Sequence, residues 1–232
     1  MRLDKYICSC GIGTRNQVKK IIKDKQITIN DNIVTIIDYD VDENTDIVKY
    51  NNQVLVYEKY HYFMLNKPMG YVTSTKDKNK TVMDLISEFS QYNLVPVGRL
   101  DKDTEGLLLI TDDGELVHEL TSPKKHMPKT YYVELENNLS ETDIQKLEKG
   151  IPLDDFITSP AIVELITPKT IYLTIYEGRF HQVKRMMHYV DNQVTYLKRV
   201  KMGPIVLDTN LTIGSYRILT KEEINQLKNK AD

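Results

Sequence analysis

The spacing of apolar residues near the start of the chain predicts a small module of helices and strands. A helix is expected from Arg15 to about Lys25, with Thr14 as its N-cap. Its apolar residues fall on one face at helical spacing: Val18, Ile21 and Ile22. Three short β-type runs follow, at residues 26–30, 33–37 and 47–50. We therefore predict a pair of helices packed on a small sheet.

Longer patterns after residue 58 predict a second, larger domain of the mixed α+β class. A strand ending in a turn is expected at residues 62–68, and further strands at 107–111, 130–135 and 171–176. Short helical patterns lie at residues 115–120, 141–149 and 180–190. We place the domain boundary between residues 58 and 59, which divides the chain into residues 1–58 and 59–232.

The overall composition is that of a folded protein and excludes several classes. Hydrophobic residues make up 41% of the 232 positions, enough to bury a core, and the formal charge is −2. The sequence has no apolar run of the roughly 18–20 residues that cross a bilayer, and no apolar signal segment follows Met1, so we expect a cytoplasmic protein. Cys8 and Cys10 provide neither a disulfide framework nor the ligand set of a structural zinc site.

Positive charge is concentrated near the start of the chain, despite the near-neutral total. Residues 1–30 hold seven basic and two acidic residues, whereas residues 31–58 hold seven acidic residues and one lysine. On the predicted helix, Arg15, Lys19 and Lys23 form a stripe opposite the apolar face. Such a stripe is either a solvated helix face or a surface that binds an anionic partner such as nucleic acid.

The densest cluster of charged residues precedes the apolar run at 107–111. It has three acidic residues at alternate positions and then a glycine: Asp101, Asp103, Glu105 and Gly106. This order imitates the start of a calcium-binding loop, but the later ligand positions hold Leu109 and Asp112, so a metal site is a weak alternative. A glycosidase-type carboxylate pair, a single attacking carboxylate beside a cation, and an acidic surface turn all stay open.

A basic segment at residues 177–188 is predicted to include an amphipathic helix. Lys184 lies at the border of the apolar face, from where its ammonium group can reach inward to a buried acid. Arg185 lies on the polar face and is expected to point to solvent or to phosphate. His181 and His188 share that face without a third ligand, so polar-face histidines are favoured over a metal pair.

A basic loop leads into the strand predicted at residues 130–135. It contributes three lysines: Lys124, Lys125 and Lys129. In the strand, Tyr131 shares a face with Val133 and Leu135, so the tyrosine is expected on the core side near the loop. There its ring is either a packing residue or a surface on which a base stacks.

These stretches resemble two known families. Residues 1–58 are similar to the S-four type RNA-binding module of ribosome-associated proteins, through Met1–Lys5, Thr14-Arg15 and Ile27–Asn30. Nearly the whole chain resembles the RsuA-type pseudouridine synthases, which isomerise uridine in ribosomal RNA. The second resemblance is carried by three motifs, which are Gly98–Leu108 as the catalytic loop, Lys129–Tyr131 as the tyrosine motif and Glu177–Met186 as the basic motif.

The second resemblance implies a role for each motif. Asp101 takes the place of the family's essential aspartate, and Lys184 that of the basic residue that pairs with it. Tyr131 is expected to stack on the base, and Arg99 to help hold the target nucleotide flipped out of the RNA. The reaction breaks the N-glycosidic bond, turns the uracil and joins its C5 to the ribose, and it requires no cofactor. Asp101 would act either as a nucleophile on the ribose or as a base that starts glycosidic cleavage.

The resemblance also implies a fold, a substrate and a set of RNA contacts. The larger domain should contain a mixed, mainly antiparallel sheet of pseudouridine synthase type, and the protein is expected to be a monomer. The Lys-Thr-Tyr and His-Gln-Val-Lys motifs are similar to those of members acting on small-subunit (16S) ribosomal RNA. The substrate would be this RNA, either free or in an assembly particle. The alternatives are a synthase for large-subunit ribosomal RNA and a non-catalytic RNA-binding assembly factor. The residues expected to contact RNA are Arg15, Lys19, Lys23, Arg99, Lys124, Lys125, Lys129, Arg179, His181, Arg185, Lys198, Arg199 and Lys201.

Overall fold

A computed structural model describes residues 1–122 and 125–231 of the chain. The contacts between residues define two compact units. The first consists of Met1–His61 together with Glu88–Asn93, and the second of Tyr62–Ser87 together with the chain from Leu94 onward. The sequence placed the division between residues 58 and 59 and gave no sign that residues 88–93 belong with the first unit.

The first unit is a pair of helices on a small sheet, as the apolar spacing predicted. Its elements are α1 (Leu3–Ser9), α2 (Arg15–Lys23), β1 (Ile27–Ile29), β2 (Asn32–Ile33), β3 (Val48–Tyr50) and β4 (Gln53–Val54). The strands lie in the order β2-β1-β3-β4. Thr14 begins α2 through a capping box with Gln17, and the fully buried Val18 and Ile22 hold the helix in the core of this unit.

The strand predicted at residues 33–37 is shortened to β2. Beyond β2 the backbone turns toward α1, where the amides of Leu3 and Asp4 donate to carbonyls of this segment at 2.8 and 3.1 Å. The first amides of a helix have no partner within the helix. The segment therefore completes the start of α1 and does not extend the sheet.

The second unit is built on a mixed, mainly antiparallel sheet, the class that the sequence predicted. Its strands are β5 (Tyr62–Lys67), β6 (Val95–Pro96), β7 (Glu105–Thr111), β8 (Lys129–Leu135), β9 (Pro152–Leu153), β10 (Phe156–Ile157), β11 (Ile162–Thr167), β12 (Thr170–Ile175), β13 (Val194–Met202), β14 (Ile205–Val206) and β15 (Tyr216–Ile218). The main sheet runs in the order β11-β12-β8-β13-β7-β5-β15, with β14 paired to β13 and β6 to β7. The pairing of β13 with β7 is parallel, and β9 and β10 form a separate hairpin.

Helices connect and cover these strands. They are the 3-10 helix Val82–Phe89, α3 (Gly114–Thr121), α4 (Glu141–Lys149), α5 (Gln182–Tyr189) and α6 (Lys221–Ala231). The start of α5 lies two residues later than residue 180, where the pattern predicted it. His181 has a left-handed φ of 49°, which is not helical, so the helix begins only after it.

The interior strand β7 forms a rigid support for the acidic loop that precedes it. The side chains of Leu107–Ile110 are at most 2% exposed, because β7 is buried on both faces. On β8 the burial alternates, and Tyr131, Val133 and Leu135 face the core as predicted. The acidic loop and Tyr131 are therefore attached to neighbouring parts of one packed sheet.

Gly106 allows β7 and β13 to approach each other closely. The parallel pairing sets Gly106 opposite Arg199, and the glycine has a φ of +99°. A Cβ atom at this position would lie 2.2 Å from the carbonyl oxygen of Arg199, well inside van der Waals contact. A side chain is therefore excluded where the acidic loop enters the sheet.

We expect Gly106→Ala to lower the free energy of unfolding by more than about 2 kcal/mol, because the methyl group must displace the backbone of β13. Gly214→Ala is the matched control. Its φ is +82° and no described atom lies within 4 Å of the added methyl group, so only the backbone cost of about 1 kcal/mol applies. Urea unfolding of both variants measures the difference, and equal losses would contradict the close contact.

Candidate active site

The acidic loop, residues 98–104, is held in place by a buried lysine. Lys67, at the end of β5, is fully buried. Its ammonium group donates to the backbone carbonyls of Pro68, Asp101 and Thr104 at 3.1, 3.0 and 2.9 Å. Burial lowers the pKa of Lys67 to about 8. The carbonyl oxygens replace the water that this cation has lost, and in doing so they fix the course of the loop.

No role was predicted for Lys67, which falls near the end of the strand predicted at residues 62–68. The signal that could have found it is a charged residue inside a strand whose six residues are all buried. Lysine is almost never fully buried without partners. Those partners are backbone carbonyls of a distant loop, however, which no residue type in the sequence reveals.

The carboxylate of Asp101 lies close to two basic side chains, His181 from the turn before α5 and Lys184 from the first turn of α5. Its Oδ2 atom is 3.7 Å from His181 Nε2 and 3.8 Å from Lys184 Nζ. The side chain is 29% exposed, so the carboxylate is neither sealed in the core nor on an open surface. This arrangement places an acid beside a positive charge while leaving it accessible to a ligand.

Lys184 makes its hydrogen bonds to Asp103 and not to Asp101. The distances from Nζ to the two Asp103 carboxylate oxygens are 2.6 and 2.8 Å. Burial raises the pKa of the Asp103 carboxyl, but the hydrogen bond and charge of Lys184 outweigh burial, so the net pKa lies below its ordinary value. The lysine therefore serves two acids of the loop, with Asp103 as the nearer one.

The structure brings Asp101, Tyr131 and Lys184 to the lining of one cavity. This small cavity has a volume of about 50 Å³, and Leu197 contributes an apolar wall. Tyr131 is only 7% exposed and reaches the cavity from the buried face of β8. The cavity thus combines a partly exposed acid and cation with a buried aromatic ring.

Arg99 lies where three cavities meet. It lines the cavity of Asp101 and Tyr131 and also the two cavities that flank it. Its side chain is exposed, and within the described part of the chain it forms no ion pair. The guanidinium group is therefore available to a ligand that enters these cavities.

The turn before α5 is fixed by a buried amide. Gln182 accepts from the amide of Arg179 at 3.1 Å and donates to Glu177 at 2.9 Å, and Glu177 accepts from the amide of Ser159 at 2.6 Å. Burial on its own would raise the pKa of the Glu177 carboxyl. The hydrogen bonds from Ser159 and Gln182 lower it by more than that, so the net pKa lies below its ordinary value. No role was predicted for Gln182 or Glu177, whose hydrogen bonds fix the backbone on either side of His181.

The residues expected to contact RNA differ widely in exposure. The side chains of Arg15, Lys19 and Lys23 are exposed on α2, as are those of Lys125, Arg179 and Lys201, while His181 and Lys198 are half-buried. Lys124 lies outside the described residues.

Three of these expected contacts have other partners. Arg199 was expected on the basic surface, but it is 1% exposed and donates to the carbonyl of Leu107, because its position on β13 faces the core. Arg185 is not directed to solvent, since it is paired with Asp155 of the β9–β10 hairpin. Lys129 donates to the carbonyl of Met127 at 2.7 Å, and burial lowers its pKa to about 8.

The described residues contain no cluster of three or more histidine, cysteine, aspartate or glutamate side chains that could hold a metal ion. No helix among them is long and apolar enough to span a membrane.

Comparison with known proteins identifies the family. Residues 61–189 match the model of the family described as RNA pseudouridylate synthase, and residues 1–47 match the S4 domain. The chain belongs to the RNA pseudouridylate synthase family. The synthase therefore carries an N-terminal S4 domain and a catalytic domain of pseudouridine synthase type, and both family resemblances drawn from the sequence are confirmed.

Several relatives match the synthase over nearly its whole length. An uncharacterized RNA pseudouridine synthase of Bacillus subtilis, YtzG, is 44% identical, with 98% of each chain covered. The ribosomal small subunit pseudouridine synthase A of Escherichia coli is 41% identical, over 97% of this chain and 98% of the relative. A crystal structure of a pseudouridylate synthase superposes with a TM-score of 0.70 at 40% identity, covering 98% of this chain and 99% of that one. The synthase is thus an RNA-modifying isomerase of the RsuA type.

We expect Lys67→Met to lower the free energy of unfolding by about 2 kcal/mol and to reduce turnover at least ten-fold, because the loop carbonyls lose their buried donor. Lys102→Met, an exposed lysine of the same loop, should leave stability unchanged. Urea unfolding and single-turnover assays measure both effects. Normal activity of a folded Lys67→Met protein would show that the loop does not need this cation.

Proposed function

We propose that this synthase converts one uridine of small-subunit (16S) ribosomal RNA to pseudouridine, with Asp101 as the reacting carboxylate. The observation that carries the proposal is the position of Asp101 in the cavity shared with Tyr131 and Lys184. Support for the RNA target comes from the relative in Escherichia coli, which is named as a small-subunit enzyme and matches over nearly the whole length. We further propose that the synthase acts as a monomer in the cytoplasm.

The chemistry needs one ionised acid, an aromatic surface and a protected space. The N1–C1′ bond of the uridine breaks, and a C5–C1′ bond forms after the uracil turns, while the C5 proton leaves and N1 gains one. Asp101 either attacks the ribose or removes a proton to start cleavage. The ammonium group of Lys184 lies 3.8 Å from the Asp101 carboxylate, close enough for the two charges to attract. Tyr131 stacks on the uracil and keeps water away from it.

Arg99 is the residue that would help the target uridine leave the RNA stack and reach Asp101. A uridine inside a helical stack cannot reach a carboxylate within a cavity, so it must leave the stack. Arg99, which borders all three cavities, is placed to occupy the space that the uridine leaves. Its planar guanidinium group can stack on bases and pair with phosphate.

The decisive experiment is to incubate the synthase with 16S and 23S transcripts and with the small-subunit assembly particle, and then to map pseudouridine. We expect one modified uridine in the small-subunit RNA. Modification of the large-subunit RNA alone would show that the target lies in 23S and not in 16S ribosomal RNA. Tight binding without modification of any RNA would favour a non-catalytic assembly factor. A map from cells that lack the protein should show the same uridine unmodified.

We expect Asp101→Asn to abolish turnover, with a loss of at least about 10³-fold, while its affinity for RNA stays within a few-fold of the unmodified protein. Asp154→Asn, which removes an exposed acid of the second unit, is the matched control and should turn over normally. Filter binding and single-turnover kinetics separate the two effects. Loss of binding by Asp101→Asn would assign the aspartate a structural role.

The exposed stripe of the S4 domain should contribute salt-sensitive binding. We expect replacement of Arg15, Lys19 and Lys23 by glutamine to weaken RNA binding at least ten-fold and to reduce the slope of log K against log salt by about 2 to 3, because each cation releases counterions from the RNA. Lys221→Gln, on α6, should change neither value. An unchanged slope in the triple variant would show that the stripe is only a solvated helix face.

A further inference from the structure

Phe180 is a large apolar side chain exposed beside the catalytic acid. Its side chain is 72% exposed, although the residue stands in a well-packed unit. The sequence pattern placed it at the start of a helix, but it lies in the turn before α5. Single exposed apolar residues are common on protein surfaces, so position and support decide whether this one has a function.

Phe180 is held in place by His181. The two rings stack with their centroids 3.8 Å apart and their planes 17° apart. The same imidazole lies 3.7 Å from the carboxylate of Asp101. The side chain of His181 therefore contacts both the Phe180 ring and the Asp101 carboxylate. His181 itself has a left-handed backbone conformation.

The ring borders a second cavity, which is also lined by Asp101 and adjoins the cavity that contains Tyr131. This cavity has a volume of about 570 Å³, within the roughly 300–1,000 Å³ typical of small-ligand sites. Its lining includes the half-exposed Met69 together with Gly70, Val72 and Thr73, and residues 99–103 of the acidic loop. Arg99, Leu100, Asp101 and His181 line both this cavity and the catalytic one.

The wall of this cavity is pinned to the acidic loop. Thr73 donates to the carbonyl of Leu100 at 2.7 Å and accepts from its amide at 3.2 Å. The amide of Gly70 donates to the carbonyl of Lys102 at 2.8 Å. Residues 70–73 and the acidic loop, which both line the cavity, are therefore held together by hydrogen bonds.

We propose that this cavity, which we call the Phe180 subsite, takes the base of a nucleotide adjacent to the target uridine. The inference rests on the proposed function, because flipping a uridine out of the stack leaves its neighbours with one exposed face each. An aromatic ring replaces that lost stacking, and Met69 adds a polarisable side chain to the same lining. The Phe180 ring would contact the flat face of the base and not its hydrogen-bonding edge. The subsite is therefore expected to accept any of the four bases next to the target uridine.

The test compares Phe180→Leu, which keeps an apolar side chain but removes the ring, with Phe180→Trp, which keeps the ring. The RNA is a fragment of the natural substrate with 2-aminopurine on one side or the other of the mapped uridine. We expect one labelled position to become quenched on binding to the unmodified protein and to Phe180→Trp, but not to Phe180→Leu. Tyr189→Leu, an exposed aromatic at the other end of α5, should behave as the unmodified protein.

Kinetics provide the second readout. Stacking of a neighbouring base stabilises the bound RNA before and during the reaction, so Phe180→Leu should raise KM about ten-fold or more with little change in kcat, and tryptophan should restore it. If the uridine is modified normally and neither fluorescence nor KM responds to Phe180→Leu, the subsite is overturned and the proposed function stands. If the unmodified protein modifies no uridine in any RNA, the proposed function itself fails.

Discussion

The site depends on a buried cation that holds a loop by its backbone. The ammonium group of Lys67 is surrounded by carbonyl oxygens of the acidic loop, which satisfy a charge that has no access to water. The direction of the Asp101 side chain is thereby set through its own backbone. The carboxylate is positioned while its oxygens stay available for a substrate, which is the arrangement that preorganised catalysis requires.

The second half of the site follows the same principle. The buried amide of Gln182 fixes the turn before α5 through a backbone amide and through Glu177. Buried polar groups thus fix both the backbone of the acidic loop and the backbone of this turn. The side chains that the two segments carry are thereby brought together. The result is a carboxylate within 4 Å of two basic groups, His181 and Lys184, at the edge of a packed sheet.

The sequence predicted the parts of the site that lie on regular elements or in motifs. Periodicity placed Tyr131 on the buried face of its strand, and helical spacing placed Lys184 at the border of α5, within reach of the acidic loop. It could not rank two acids two residues apart in the same loop, so the closer hydrogen-bonding partner of Lys184 emerged only from the structure. Arg199 was misplaced on the surface because charge alone does not reveal which face of a strand is buried, and Lys67 was missed because its partners are backbone atoms.

The parallel pairing of β7 with β13 has a consequence for how the synthase is made. The acidic loop is flanked by β7, which needs a neighbour roughly ninety residues further along the chain, while β5, which carries Lys67, pairs with the still later β15. Contacts between such distant segments form slowly and only after both have left the ribosome. A nascent chain can therefore fold its S4 domain early, yet the strands that support the acidic loop lack their sheet neighbours until residues 194–218 have been made.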